Sequence, residues 1–295
     1  MPALPRDLLR KLHEDLCEFG FRETAERSGL WAAQRLLSSM LHRHSRPSLA
    51  DFAETAASMH FSAEDLVETY LAPKYGNADL SQLKCEYEML CTELAARYGE
   101  RRLAYPEYYA LERGSAFLLY AFVRALRPSV VLETGVANGH SSFFILSALR
   151  ANGHGLLHSV DRSPGVGSLL GAEERERWRL HVLQRKGLKR SFMEILEPLQ
   201  PIGFFLHDSD HTYPWQSFEL QAAAKKLAPG GVLTSDDCDG CNAFLDFCRG
   251  AGVRPVILVE TRKVFGLVFS EPTAENDSDK EGQPSLVRHR LLVRA

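Results

Sequence analysis

Val130-Val-Leu-Glu-Thr-Gly-Val-Ala-Asn-Gly-His-Ser-Ser142 is the stretch that decides the fold of this chain. An apolar, β-branched run ends in Glu133, a loop carries Gly135 and Gly139, and a helix opens near Ser141. Gly135 permits a tight turn and close backbone approach, and Gly139 lets a small ligand sit against the helix start. A loop that cradles a pyrophosphate reads G-x-G-x-x-G. Here Ala137 stands at the second glycine and His140 at the third position. The loop therefore suits an adenosine ligand, but not one built around a pyrophosphate.

Working outward, short β-rich runs alternate with helical segments. A helix over Ser115 to Arg127 ends at Pro128, before the first strand. The runs are 130–133, 156–161, 181–184, 202–206 and 232–235. Helical segments near 140–151, 172–179, 191–199, 215–227 and 241–250 separate or follow them. Such alternation implies right-handed crossovers and a parallel sheet covered on both faces. The end differs: 256–259 and 264–269 are separated only by Glu260 to Lys263, too short for a crossover, so this pair is expected to form an antiparallel hairpin.

Residues 1–104 carry helical patterns and no convincing strand. Leu8, Leu9, Leu12, Leu16 and Phe19 recur at helical spacing, with Gly20 ending the run. Ser48 to Asp51 and Ser62 to Asp65 have the form of helix starts, and Leu83 to Tyr98 is a longer amphipathic stretch. The expectation is three parts: a helical appendage at 1–104 acting as lid or dimerisation region, an α/β domain at 105–270, and a polar, partly disordered tail at 271–295.

Over 295 residues the net charge is -3, so no basic field favours nucleic acid or anionic membrane. The six cysteines are too few and too scattered for a disulfide scaffold. No apolar stretch approaches the ~20 residues of a membrane helix, and Arg6, Asp7, Arg10 and Lys11 interrupt the apolar runs where a leader would lie. A cytoplasmic protein with a small-molecule partner is expected.

Asp161 ends the second strand, where an acid can take both ribose hydroxyls. The fourth strand runs into His207-Asp-Ser-Asp-His211 and the fifth into Ser235-Asp-Asp237. Both lie at carboxyl ends of parallel strands, where open α/β sheets place ligands. Crowded carboxylates repel one another, and a divalent cation resolves the conflict; an oxygen shell suits Mg²⁺ or Mn²⁺. In the competing reading Asp210 or Thr212 caps the helix entered through Pro214, and Asp236 and Asp237 cap the next one. Capping needs one carboxylate per helix, fewer than are present.

Glu133 to Ser141 resembles the first motif of class I S-adenosylmethionine methyltransferases, and Asp161 matches their second, acidic motif. Leu227-Ala-Pro-Gly-Gly-Val-Leu233 looks like the helix–turn before their fifth strand, and the terminal antiparallel pair fits as well. The resemblance covers residues 105–270. It implies a Rossmann-like, doubly wound α/β sheet, mostly parallel with a C-terminal antiparallel hairpin. It also implies cofactor contacts from Glu133, Gly135, Ala137, Gly139, Ser141 and Asp161, and from Gly114 and Ser115 on the preceding helix. The acidic cluster resembles metal-dependent small-molecule O-methyltransferases, of both the catechol and the antibiotic-sugar and macrolide-tailoring types. That resemblance implies Asp208, Asp236 and Asp237 as metal ligands. The catechol type has a base lysine where this chain has His211; the tailoring type uses the second Asp of Asp-x-Asp, here Asp210. Asp210 is the favoured base and His211 the alternative. The acceptor implied is a hydroxyl on a natural-product sugar, polyketide or phenol, and a homodimer is expected.

Two rivals stand beside this reading. A nicotinamide-dependent oxidoreductase could use Gly139 and Asp161, but the hairpin and the missing third glycine argue against it. A non-catalytic binding protein could keep the fold alone. Cys238-Asp-Gly-Cys241 lacks the second pair a zinc site needs and the setting of a redox dithiol.

Overall fold

The computed structural model describes residues 46–71 and 79–270. The chain divides into two compact units, 1–45 and 46–295, and all described residues belong to the second. The helical pattern at Leu8 to Phe19 and the tail from 271 lie outside the described residues.

Ser48 starts α1 (Leu49–Thr55) with a reciprocal cap: its hydroxyl accepts from Asp51 N, and the Asp51 carboxylate accepts from Ser48 N at 2.7 Å. The chain then forms β1 (Ser58–His60), α2 (Ala63–Tyr70) behind the N-cap Ser62, and α3 (Leu80–Glu100) behind the N-cap Asp79. Helix α4 (Arg113–Leu126) ends where Arg127 turns left-handed, just before Pro128. There follow β2 (Val130–Thr134), α5 (His140–Asn152), β3 (Leu156–Asp161), α6 (Ala172–Glu176), β4 (Trp178–Val182), α7 (Leu188–Leu196) and β5 (Ile202–His207). The chain closes with α8 (Tyr213–Ala224), β6 (Leu227–Ser235), α9 (Ala243–Ala251), β7 (Val256–Val259) and β8 (Val264–Phe269).

The eight strands form one sheet in the order β1-β7-β8-β6-β5-β2-β3-β4. All pairs are parallel except those of β8, which runs antiparallel to both β6 and β7. The Rossmann-like sheet and its closing hairpin are therefore as expected. Alternating strand residues feed two cores. Val131, Phe204 and Leu206 face the layer of α2, α3, α4 and α5, whereas Leu132, Phe205 and Leu233 face the layer of α7, α8 and α9. The strand order reverses between β2 and β5, so the carboxyl ends of β2, β3, β5 and β6 open onto one rim.

Three expectations are corrected. First, residues 46–104 are neither all-helical nor separate. Ser58–His60 pairs with Val256–Leu258 at the sheet edge, and Phe52, Leu66, Leu83 and Leu94 are buried in the same two cores. The strand escaped notice because Ser-Met-His is short and lacks a β pattern; Ser58 Oγ is fixed by Tyr70 OH at 2.7 Å. The boundary at 104 thus falls inside a unit that begins at Arg46. Second, β4 starts at Trp178, not His181, because the buried indole donates from Nε1 to Ser159 Oγ on β3 at 2.8 Å. Third, Leu227 to Leu233 is already strand, with Gly230 at φ +74° accommodating the irregular register against β5.

A chain beginning at Leu103 would lose β1, α1, α2 and α3 together. It is expected to lose cooperative urea unfolding, and Phe52→Ala in the full chain is expected to cost about 3–5 kcal/mol. A Leu103 truncation that unfolds cooperatively at the full-length midpoint would contradict the single unit.

Candidate active site

The glycine loop is fixed from both sides. Gly135 has φ +82°, and a Cβ there would stand 1.9 Å from the carbonyl oxygen of Asp208. Only glycine lets the β2 loop pass this close to the end of β5. Gly139 has φ +89°, and a Cβ there would press on Gly167 and Leu170. Ala137, at φ +46°, accepts from Gly167 N through its carbonyl, and Asn138 O accepts from Leu169 N. The Asn138 amide oxygen accepts from the backbone N–H groups of Ala104 and Tyr105 and from Ser168 Oγ. Arg97 of α3 and Arg101, the residue that caps its end, donate to the carbonyls of Leu169 and Ser168. The buried Glu174 carboxylate takes Arg97 in a two-pronged pair, both contacts at 3.0 Å.

Asp161 binds the loop directly. Its Oδ2 accepts from Val136 N and its Oδ1 from Ser163 N, both at 2.9 Å. Burial raises its pKa. A carboxylate has about four acceptor positions, so capacity remains for a further hydroxyl. Gly135, Ala137, Gly139 and Asp161 are thus brought together in one loop contact. The side chains of Glu133 and Ser141 are buried and bonded to each other. The Glu133 carboxylate is wholly buried and accepts from Ser141, Ser142 and Ser159 at 2.5, 2.6 and 2.7 Å. Gly114 and Ser115 donate their N–H groups to Glu260 Oε1 at 2.8 and 3.1 Å, so they hold the β7–β8 turn.

On the neighbouring strand ends, Asp208, Asp236 and Asp237 converge. The His211 Nε2 atom lies 3.7 Å from Asp208 Oδ1 and 3.5 Å from Asp237 Oδ2. Lys263 Nζ, from the hairpin turn, lies 2.5 Å from Asp236 Oδ2 and 3.5 Å from Asp237 Oδ2. Asp236 is fully buried, and its Oδ1 has no hydrogen-bond partner. Burial, then the Asp208 charge, raise its pKa. Burial works against the His211 cation, but Asp208 and Asp237 outweigh it and bring the imidazole up to about 9. Asp210 lies apart from this exchange: its Oδ1 accepts from Thr212 N at 3.0 Å and so orders the start of α8. Behind the cluster, Glu219 Oε2 is a hub for Thr134, His207 and Ser209.

The donor set does not fit the divalent ion expected from the sequence. Lys263 and His211 stand among the three carboxylates, and among the described residues no group of three or more His, Cys, Asp or Glu side chains is arranged to hold a metal. Sequence reasoning missed Lys263, Glu219, Glu260 and Asn138. The one available hint for Lys263 was topological: the turn of a hairpin antiparallel to β6 lies on the rim where β6 ends. Cys238 and Cys241 are buried thiols with separate partners, Ser235 O and Gln216 Oε1. Among the described residues no helix is long and apolar enough to cross a membrane.

Residues 132–238, from β2 through the acidic cluster, match the family model described as a methyltransferase domain. The chain is similar to the O-methyltransferase of Bacillus cereus solved with S-adenosylhomocysteine, at 15% identity over 71% of this chain and 98% of that one, TM-score 0.47. It is also similar to TomG of Streptomyces achromogenes, an O-methyltransferase of tomaymycin synthesis solved with S-adenosylmethionine, at 18% identity over 68% and 94%, TM-score 0.46. A third likeness is to MycE of the mycinamycin pathway, solved with Mg, S-adenosylhomocysteine and mycinamycin VI, at 16% identity over 52% and 48%, TM-score 0.37. No curated protein matches the chain.

The buried Glu133 makes stability depend on pH. Burial raises its carboxyl to about 7, against 4.5 for a free glutamate. The folded state therefore holds the proton more tightly, and this contribution to stability is present below 4.5 and lost as pH rises through 7. The full swing is on the order of 3 kcal/mol. Between pH 5 and 8 the wild type should lose stability relative to Glu133→Gln by a large part of that amount, read by urea unfolding. Parallel profiles would contradict the assignment.

Proposed function

We propose that the protein is an S-adenosylmethionine-dependent O-methyltransferase acting on a hydroxyl of a small molecule such as a natural-product sugar, polyketide or phenol. The observation that carries this reading is the contact between the two halves of the site. The loop that would hold the methionine end touches, through Gly135, the backbone of Asp208, the first member of the acidic cluster. A methyl donor over the loop and a hydroxyl over the cluster would then be neighbours.

S-adenosylmethionine held at the glycine loop and Asp161 would supply a sulfonium methyl for transfer to the acceptor oxygen. The chain's part is to hold the ribose at Asp161, fix the acceptor in line, and accept its proton. His211, between Asp208 and Asp237, is the proton acceptor in this reading. Asp210, the base favoured from sequence, has one oxygen engaged by Thr212 N at the start of α8, which supports His211 in its place. The hairpin, and His140 in place of the third glycine, favour methyl transfer over hydride transfer. The homodimer expected from sequence belongs to this proposal and is checked by light scattering.

Calorimetry should detect S-adenosylmethionine binding and no NAD binding, with Asp161→Ala weakening the affinity by about 1–3 kcal/mol. NAD binding in place of S-adenosylmethionine would overturn the reading.

The base assignment makes a separate prediction. His211 must be neutral to accept a proton, so kcat/KM for an acceptor should rise with pH and level off near 9. His211→Ala should remove that limb and lower turnover by about 10²–10⁴-fold, whereas Asp210→Asn keeps it. The reverse pattern would return the base to Asp210.

A further inference from the structure

We infer that Lys263 is the resident cation of the acceptor site, an ammonium that occupies the place a divalent metal would take among Asp208, Asp236 and Asp237. The inference rests on the methyltransferase reading only for what the cation does, not for where it sits.

Three observations carry it. The ammonium makes its contacts inside the cluster, at 2.5 Å from Asp236 and 3.5 Å from Asp237. The lysine side chain is only 10% exposed and Asp236 not at all, so the pair is shielded from solvent and its attraction is little screened. Asp236 also keeps one oxygen buried and without a partner, which marks the cluster as a cation site with acceptor capacity beyond the lysine.

The lysine is also held in place. Glu112 accepts from Thr261 N and Arg262 N, Glu260 N donates to Lys263 O, and Glu260 Oε1 accepts from Gly114 and Ser115 N. Val264 N donates to Asp239 Oδ1, and Val264 O accepts from Cys238 N. The turn is thus stitched to the start of α4 and to the loop that follows β6. A solvent-facing lysine on a loose turn would carry none of these ties.

An ammonium has three donors. Asp236 and Asp237 engage two, and the third can reach an acceptor oxygen. Lys263 would stabilise the negative charge that develops on that oxygen as His211 takes its proton, and would orient it toward the methyl donor. The consequence is a site whose cation is part of the chain and stands where a metal would have to displace it.

The test is manganese binding followed by electron paramagnetic resonance, which does not depend on turnover. The full-length wild type should bind no stoichiometric Mn²⁺. Lys263→Met, which keeps the apolar stem, should bind one Mn²⁺ per chain at least about tenfold more tightly, and adding Asp236→Asn should abolish that binding. Tight Mn²⁺ binding by the wild type would overturn the inference, as would its absence in a folded Lys263→Met. If Lys263→Met does not fold, the wild-type titration decides alone. Calorimetry with S-adenosylmethionine on the same samples reports separately on the methyltransferase reading, so the two can fail independently.

Discussion

A fully buried carboxylate at the end of a central strand has to be compensated, and Asp236 is that carboxylate. Leaving such a charge unpaired costs several kcal/mol. The fold supplies a cation by sending the chain through β7 and back along β8, so that the hairpin turn arrives above the end of β6. The antiparallel closure of an otherwise parallel sheet is therefore part of the site. The same turn is anchored to the start of α4 through Glu112 and Glu260. One ion pair thus ties together the last hairpin, the helix before β2 and the strand ends between them.

The second constraint is proximity. Asp208 can stand where it does only because Gly135 has no side chain, and the glycine loop keeps its shape because Asp161 binds its backbone at Val136 and the Asn138 side chain ties it to Tyr105. Helix α3 reinforces this from outside through Arg97 and Arg101. Residues before 105 therefore shape the site as well as the sheet edge. The glycine loop and the acidic cluster are positioned by one set of backbone contacts, and the proposed methyl transfer would draw on that proximity.

Much of this was legible in the sequence, for local reasons. The glycine loop, Asp161, the two acidic strand ends and the hairpin are each written in a few consecutive residues. What was not legible depends on distance. Lys263 meets Asp236 across 27 positions, and its role follows from which rim the hairpin turn reaches. Ser58–His60 is too short and too polar to announce a strand; its partner Val256–Leu258 decides it. Glu133 and Ser141 matched a motif by position, yet three serine hydroxyls enclose the carboxylate below the surface. Asp210 and His211 are neighbours in sequence, but the turn into α8 points one toward Thr212 and the other between two carboxylates. The crowding of carboxylates is written locally, whereas the lysine beside Asp236 is brought there by the path of the hairpin.

A crystal structure grown with S-adenosylhomocysteine and manganese, with anomalous scattering collected at the manganese edge, tests the central claim most directly. The account predicts the nucleoside over Gly135 and Asp161, Lys263 Nζ still against Asp236, and no anomalous peak among the three carboxylates. A manganese peak between Asp208, Asp236 and Asp237, with Lys263 swung away, would contradict it.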